Sequence, residues 1–241
     1  MPALYRTESF FGYCPPLPGG IHLASKKTET VMEKHTKASF TTDKTDLIPL
    51  ALWLLIVFLT WLFMHGADHF LSLTPEALGK YFELRWVLIA HITAGGGALV
   101  TGFVQFWPKL RHYSPRIHRT IGVLYLLAIL VSSICALILS FTTAYKVNLP
   151  YALSLQVWVS VWISSTFIAY YAAIRKRFEQ HREWMIRSYI VTLAFIISGL
   201  AFKLPFVQRL GSFEEIAPSL FWMGWALPLY VYEMIRSSKK L

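Results

Sequence analysis

Six apolar runs, each long enough to cross a bilayer, constrain this chain more than any other feature. They lie near Leu47–Met64, Trp86–Trp107, Ile117–Tyr145, Leu149–Ile174, Trp184–Phe206 and Ile216–Ile235. At about 1.5 Å per residue, some 20 residues of helix cross the roughly 30 Å of hydrocarbon in a membrane. Lipid offers backbone N–H and C=O groups no partners, so each run must satisfy its own as a helix. The expected fold is therefore all-α: a polytopic membrane helical bundle with six transmembrane helices over residues 46–241. Residues 1–45, polar and with a Pro-Pro-Leu-Pro-Gly-Gly run from Pro15 to Gly20, read as a disordered cytoplasmic tail. Only 15% of the residues are charged, against about 25% in soluble domains. The fifth run is the weakest: only Ser188–Phe202 is free of charge, so Arg187 and Lys203 must snorkel at its ends.

A net charge of +10 could suggest a nucleic-acid partner, but its distribution along the chain points to a membrane instead. When alternate loops are given to alternate sides, 18 Lys and Arg fall on one face and five on the other. The five are Lys80, Arg85, Lys146, Lys203 and Arg209. Short loops rich in Lys and Arg stay in the cytoplasm, so both termini are expected there, with membrane lipids as partners and no nucleic acid. The tail lacks the apolar core of a signal peptide, and Met32 is a candidate alternative start. Cys14 and Cys135 lie in the tail and within a span, which argues against a disulfide framework.

Residues at i, i+4, i+7, i+11 and i+14 share one helix face. From His91 that series reads Gly95, Ala98, Gly102, Gln105, while Leu88, Val100, Phe103 and Phe106 fill other faces. From His118 it reads Gly122, Tyr125, Ile129, Ser132; from His181 it reads Met185, Ser188, Thr192, Phe195. Small residues beside an inward histidine suit close helix packing or a flat cofactor such as a porphyrin. His118 and His181 begin the third and fifth spans at similar height, and Met185 is an alternative axial ligand to His181. Their surroundings are basic: Arg116, Arg119, Arg175, Lys176, Arg177 and Arg182. Three readings stay open, namely an interfacial cluster touching anionic lipid headgroups, a haem or other redox cofactor, and an anionic-substrate site. His91, an ionisable group inside a span, either bonds a neighbouring helix (Gln156 is the candidate partner) or serves function. His65, Asp68 and His69 form a loose candidate metal group at the end of the first span.

Other chemistries find no residues to carry them. The sequence has no GxGxxG, GxxxxGKS, HExxH, GxSxG or CxxCH motif.

The segment His91…Gly102…Gln105…Leu110-Arg111…His118-Arg119…Gly122…Tyr125, followed by His181-Arg182-x-Trp184-Met185-x-Arg187, resembles a bacterial family of predicted membrane proteins known as domain of unknown function 2306. That resemblance covers roughly Trp86 to Phe202 and implies an integral protein of the bacterial cytoplasmic (inner) membrane. More remotely, the chain is similar to two-haem transmembrane b-type cytochromes, in which consecutive spans supply haem-ligating histidines at two heights. This similarity implies one bis-histidine haem b held by His118 and His181, an electron-transfer role, and a quinone or other redox partner. Arg119, Arg182 and Arg187 would neutralise the propionates, and His91 would stand at the second height. The fourth span departs from that pattern, having Gln156 but no histidine. The rival expectation is a cofactor-free transporter or a lipid-interacting accessory protein.

Overall fold

The computed structural model describes residues 44–66, 68–107, 110 and 114–238. The expected tail up to residue 43, with the alternative start at Met32, lies outside them. Six long helices carry the chain: α1 (Lys44–His65), α2 (Arg85–Gln105), α3 (Pro115–Thr142), α4 (Leu149–Ile174), α5 (Phe178–Phe202) and α6 (Phe213–Ser238). No strand occurs among the described residues.

The helix ends follow local chemistry. Proline stands in the first turn of both α3 and α4, where its missing N–H is not needed. Asn148 caps α4 by accepting from the Tyr151 N–H at 2.7 Å. That helix closes with Lys176 at φ 58°, as the N–H groups of Lys176 and Arg177 donate to the carbonyls of Ala173 and Ala172. This is a Schellman ending in which lysine takes the left-handed place that usually falls to glycine. α5 starts six residues before the expected Trp184, because Phe178–Glu183 adds amphipathic turns below the apolar run. It also ends before the expected Phe206, since Pro205 cannot continue it and instead opens the short turn Pro205–Gln208.

Four helical stretches are long and apolar enough to cross a membrane: Pro75–Gln105, Pro115–Lys146, Leu149–Ile174 and Phe178–Phe202. Ala51–His65 is a shorter apolar helix. α6 falls outside this group because Glu214, Glu215, Pro218, Pro228 and Glu233 dilute its apolar residues. Leu55, Phe58, Val100, Leu127, Leu130, Phe167 and Val231 are all exposed, an apolar exterior that suits lipid and not water.

Around the interior, α2 packs on α3, α3 on α4, α4 on α5 and α5 back on α2, so the four helices form a ring. α6 lies outside that ring against α4 and α5. Trp53 of α1 meets Phe103 edge-on at 4.9 Å, and Phe63 and Met64 cover Gly199 of α5 and Gly96 of α2. The central core joins Ala98, Tyr125, Ile129, Trp158, Trp162, Met185, Tyr189 and Ala194. Leu88, expected on another face than the small-residue stripe, is itself buried against Leu78 and Leu139.

Candidate functional site

The ring is closed across its diagonal by side chains from three helices. Tyr125 (α3), Ser188 and Thr192 (α5), and Trp162 and Thr166 (α4) are all buried. The Thr166 hydroxyl donates to the Trp162 carbonyl at 2.7 Å, so it can only accept from Ser188, also at 2.7 Å. Ser188 in turn accepts from the Tyr125 hydroxyl at 2.8 Å. The Trp162 indole donates to Thr192 at 2.8 Å, and Thr192 donates to the Ser188 carbonyl at 2.9 Å. Each hydroxyl carries one proton, and each proton has an acceptor. Such complete pairing is what a buried polar group requires where water is excluded.

This chain of bonds sets the register of the histidines. Tyr125 stands seven residues after His118, and Ser188 seven residues after His181. Their direct bond therefore holds both histidines about 10 Å further along the axis, two turns away, at the same end of the ring. Arg116, Arg119, Arg175, Lys176, Arg177 and Arg182 make this the basic end of the ring. α3 and α5 are diagonal in the ring, so His118 and His181 start opposite corners.

The imidazoles have defined surroundings. His181 Nδ1 lies 2.8 Å from the Ala169 carbonyl of α4. A carbonyl can only accept, so Nδ1 bears the proton and Nε2 is left with the lone pair in the neutral ring. His118 is half-buried, and its carbonyl accepts from Gln105 Nε2 at 2.7 Å, which ties the start of α3 to the end of α2. His91 lies elsewhere. Its Nδ1 is 3.0 Å from both the carbonyl and the hydroxyl of Ser132, and that hydroxyl donates back to the His91 carbonyl at 3.1 Å. Ser132 lies 14 residues beyond His118, so His91 stands about 20 Å from the histidine pair. Gln156, its expected partner, is instead half-buried and bonded to Tyr145.

The small-residue stripe points inward. Ala98 and Gly102 are buried. A Cβ on Gly102 would come within 2.6 Å of the Tyr189 ring and 2.8 Å of the Tyr125 ring. Only a glycine lets both rings lie on α2 here.

The candidate arginines divide. Arg119 and Arg182 are exposed beside their histidines. Arg187 turns away to α6, giving both Nε and Nη2 to Glu233 Oε1 at 2.7 Å, with its guanidinium 4.7 Å from the Trp184 ring and 5.4 Å from that of Tyr232. Glu183 bonds Arg236 Nε at 3.0 Å and completes a four-residue ionic clamp between α5 and α6. Arg187 is thus bonded to α6, unlike Arg119 and Arg182, which are exposed beside the histidines. The clamp itself was missed in the sequence. Its signal was there in acids three and four residues before basic partners, Glu233 before Arg236 and Glu183 before Arg187. Met185 is buried in the core one turn from His181. The reading of His65, Asp68 and His69 as a metal group rests on Asp68 and His69 side chains outside the described ones; the His65 ring packs edge-on against Trp61.

An apolar-walled helical ring with a paired polar interior defines a multi-pass membrane protein. More narrowly, residues 88–236, over half of the chain, match the family described as "Predicted membrane protein (DUF2306)", and the chain belongs to that family. No curated protein and no solved structure matches it.

Proposed function

We propose that this is a six-span protein of the bacterial inner membrane, with both termini cytoplasmic, that holds a b-type haem between His118 and His181 and passes electrons to a quinone or other redox partner. The orientation rests on the 18-to-5 division of Lys and Arg. A reporter fused after Leu241 should be active only as a cytoplasmic tag; activity of a periplasmic tag there would overturn the orientation.

The observation that carries the haem reading is the Tyr125–Ser188 bond, which brings the two histidines to one height on diagonal helices. Two further features suit the group. The Nδ1–H of His181 is fixed on a carbonyl, the arrangement that presents Nε2 to a metal. Exposed Arg119 and Arg182 flank the pair and suit propionate carboxylates. The tyrosine rings over Gly102 close the interior two turns further on, so a group held by the two histidines would be shut off from the rest of the ring. When bound, haem supplies one-electron chemistry at its iron. The protein's part is to supply two imidazoles, fix the His181 tautomer and exclude water from the inner side.

A cofactor-free bundle is favoured by one observation, that the buried hydroxyls joining α3, α4 and α5 are fully paired with one another and with backbone carbonyls. Protein purified from cells supplied with a haem precursor separates the readings. A bis-imidazole absorption spectrum is expected in wild type and in His91→Ala, but not in His118→Ala or His181→Ala. Colourless, iron-free wild type, under conditions that load a known haem protein, would remove the haem.

A further inference from the structure

The basic end has two halves that treat charge in opposite ways. On the α5–α6 side, Arg187 and Arg236 are matched by Glu183 and Glu233. Across α3, α4 and α5 the cations Arg116, Arg119, Arg175, Lys176, Arg177 and Arg182 are all exposed, and none has a carboxylate partner among the described residues. α4 lies between α3 and α5 in the ring, so these six side chains form a continuous arc over three neighbouring helix ends. Glu183 adjoins Arg182 in sequence but pairs with Arg187 and Arg236, while Glu179, two residues after Arg177, is exposed and forms no ion pair with any of the six. Within the arc the cations outnumber that one acid six to one, so it stays strongly positive.

Two more observations say what the arc meets. Just inside it the surface is apolar: Phe178 is 67% exposed, Ile174 57% and Ile117 51%, with Tyr170 and Tyr171 alongside. A soluble anion or a nucleic acid has no use for that apolar rim, whereas a phospholipid sets its phosphate on the cations and its acyl chains on the rim. The second is Lys176. Its φ of 58° is a left-handed conformation that costs a side-chain-bearing residue about 1 kcal/mol, and glycine would remove that cost. The turn keeps a cation where its own geometry favours glycine.

We propose that this arc, through Arg116, Arg175, Lys176 and Arg177, is a binding surface for anionic phospholipid headgroups, separate from Arg119 and Arg182 beside the histidines. Phosphate oxygens accept from the guanidinium groups, with Arg175 held in place by its bond to the Tyr171 hydroxyl at 3.1 Å.

The test uses full-length protein, delipidated in neutral detergent. Retention of phosphatidylglycerol, phosphatidylcholine and inorganic phosphate is read by native mass spectrometry at low and raised salt. Wild type should prefer phosphatidylglycerol over phosphatidylcholine by at least tenfold, with the preference shrinking as salt rises. Each neutralisation (Arg116→Gln, Arg175→Gln, Arg177→Gln) should reduce it by about fivefold. Lys176→Gly is the sharper variant, because it should lower lipid retention while melting no earlier than wild type. Arg209→Gln, at the opposite end, should change nothing. Equal retention of the two lipids, displacement by inorganic phosphate at equal concentration, or indifference to the arc substitutions would overturn the proposal. Because no arm measures haem, loss of the haem reading leaves this result untouched, and the reverse holds too.

Discussion

Two polar stations inside the ring solve the same problem in different ways. His91 and Ser132 join α2 to α3, neighbours in sequence, through a compact pair whose bonds run largely to backbone carbonyls. Tyr125, Ser188, Thr166, Thr192 and Trp162 join α3, α4 and α5 through bonds between side chains. The first station strengthens a contact that a helical hairpin would make anyway. The second fixes the relative height of two helices that are not sequence neighbours, and the placing of His118 opposite His181 depends on it. A local pair stabilises, whereas a diagonal network also specifies. Replacing side chains at each station should therefore have unequal effects, and steric damage at the second should exceed any single bond.

The largest effect is expected at Gly102, the point where α2 meets the diagonal network. Tyr189 is held by its hydroxyl's bond to the Leu99 carbonyl at 3.2 Å, and Tyr125 by Ser188 at 2.8 Å. Neither ring can withdraw from a new side chain without breaking a bond. Overpacking a filled interior costs about 1–3 kcal/mol, while an interhelical hydrogen bond in a membrane is worth about 0.6 kcal/mol on average. Gly102→Leu should lower stability by about 3 kcal/mol in reversible unfolding from mixed micelles, and Val100→Ala, on the exposed face of the same helix, by far less. Equal losses for the two would mean that the stripe does not face the interior.

Much of this was legible beforehand, and for reasons specific to membranes. Length and apolarity placed α4 at Leu149–Ile174, and periodicity put Tyr125, Ser188 and Thr192 on the same faces as the histidines. A face, however, carries no information about which helix it meets. Whether Tyr125 reaches Ser188 or lipid depends on the ring order, which is fixed by packing among distant segments. The same limit hid the destination of Arg187: it shares a helix with His181, but its partner Glu233 is 46 residues away. Gln156 failed as a partner for His91 because height along the bilayer was known but direction around the helix was not. Solvation set the start of α5 differently from expectation, since Phe178–Glu183 extends the helix ahead of its apolar run.

The finest distinction between the two stations lies in two single-atom or near single-atom deletions. Tyr125→Phe removes one hydroxyl. Ser188 then keeps its donor bond to Thr166 but loses the bond that ties α3 to α5. Ser132→Ala also removes one hydroxyl, yet the His91 Nδ1–H retains the Ser132 backbone carbonyl at 3.0 Å, so α2 and α3 stay joined. Tyr125→Phe should thus cost about 1 kcal/mol and Ser132→Ala less than half of that. The same pair has a second readout that stability alone does not move. Spin labels at Thr120 and Glu179, near the starts of α3 and α5, should show a broadened distance distribution in Tyr125→Phe and an unchanged one in Ser132→Ala. If Ser132→Ala proves the more costly, or if Tyr125→Phe leaves the distances as sharp as in wild type, then packing of the core and not the diagonal network sets the register of α3 and α5.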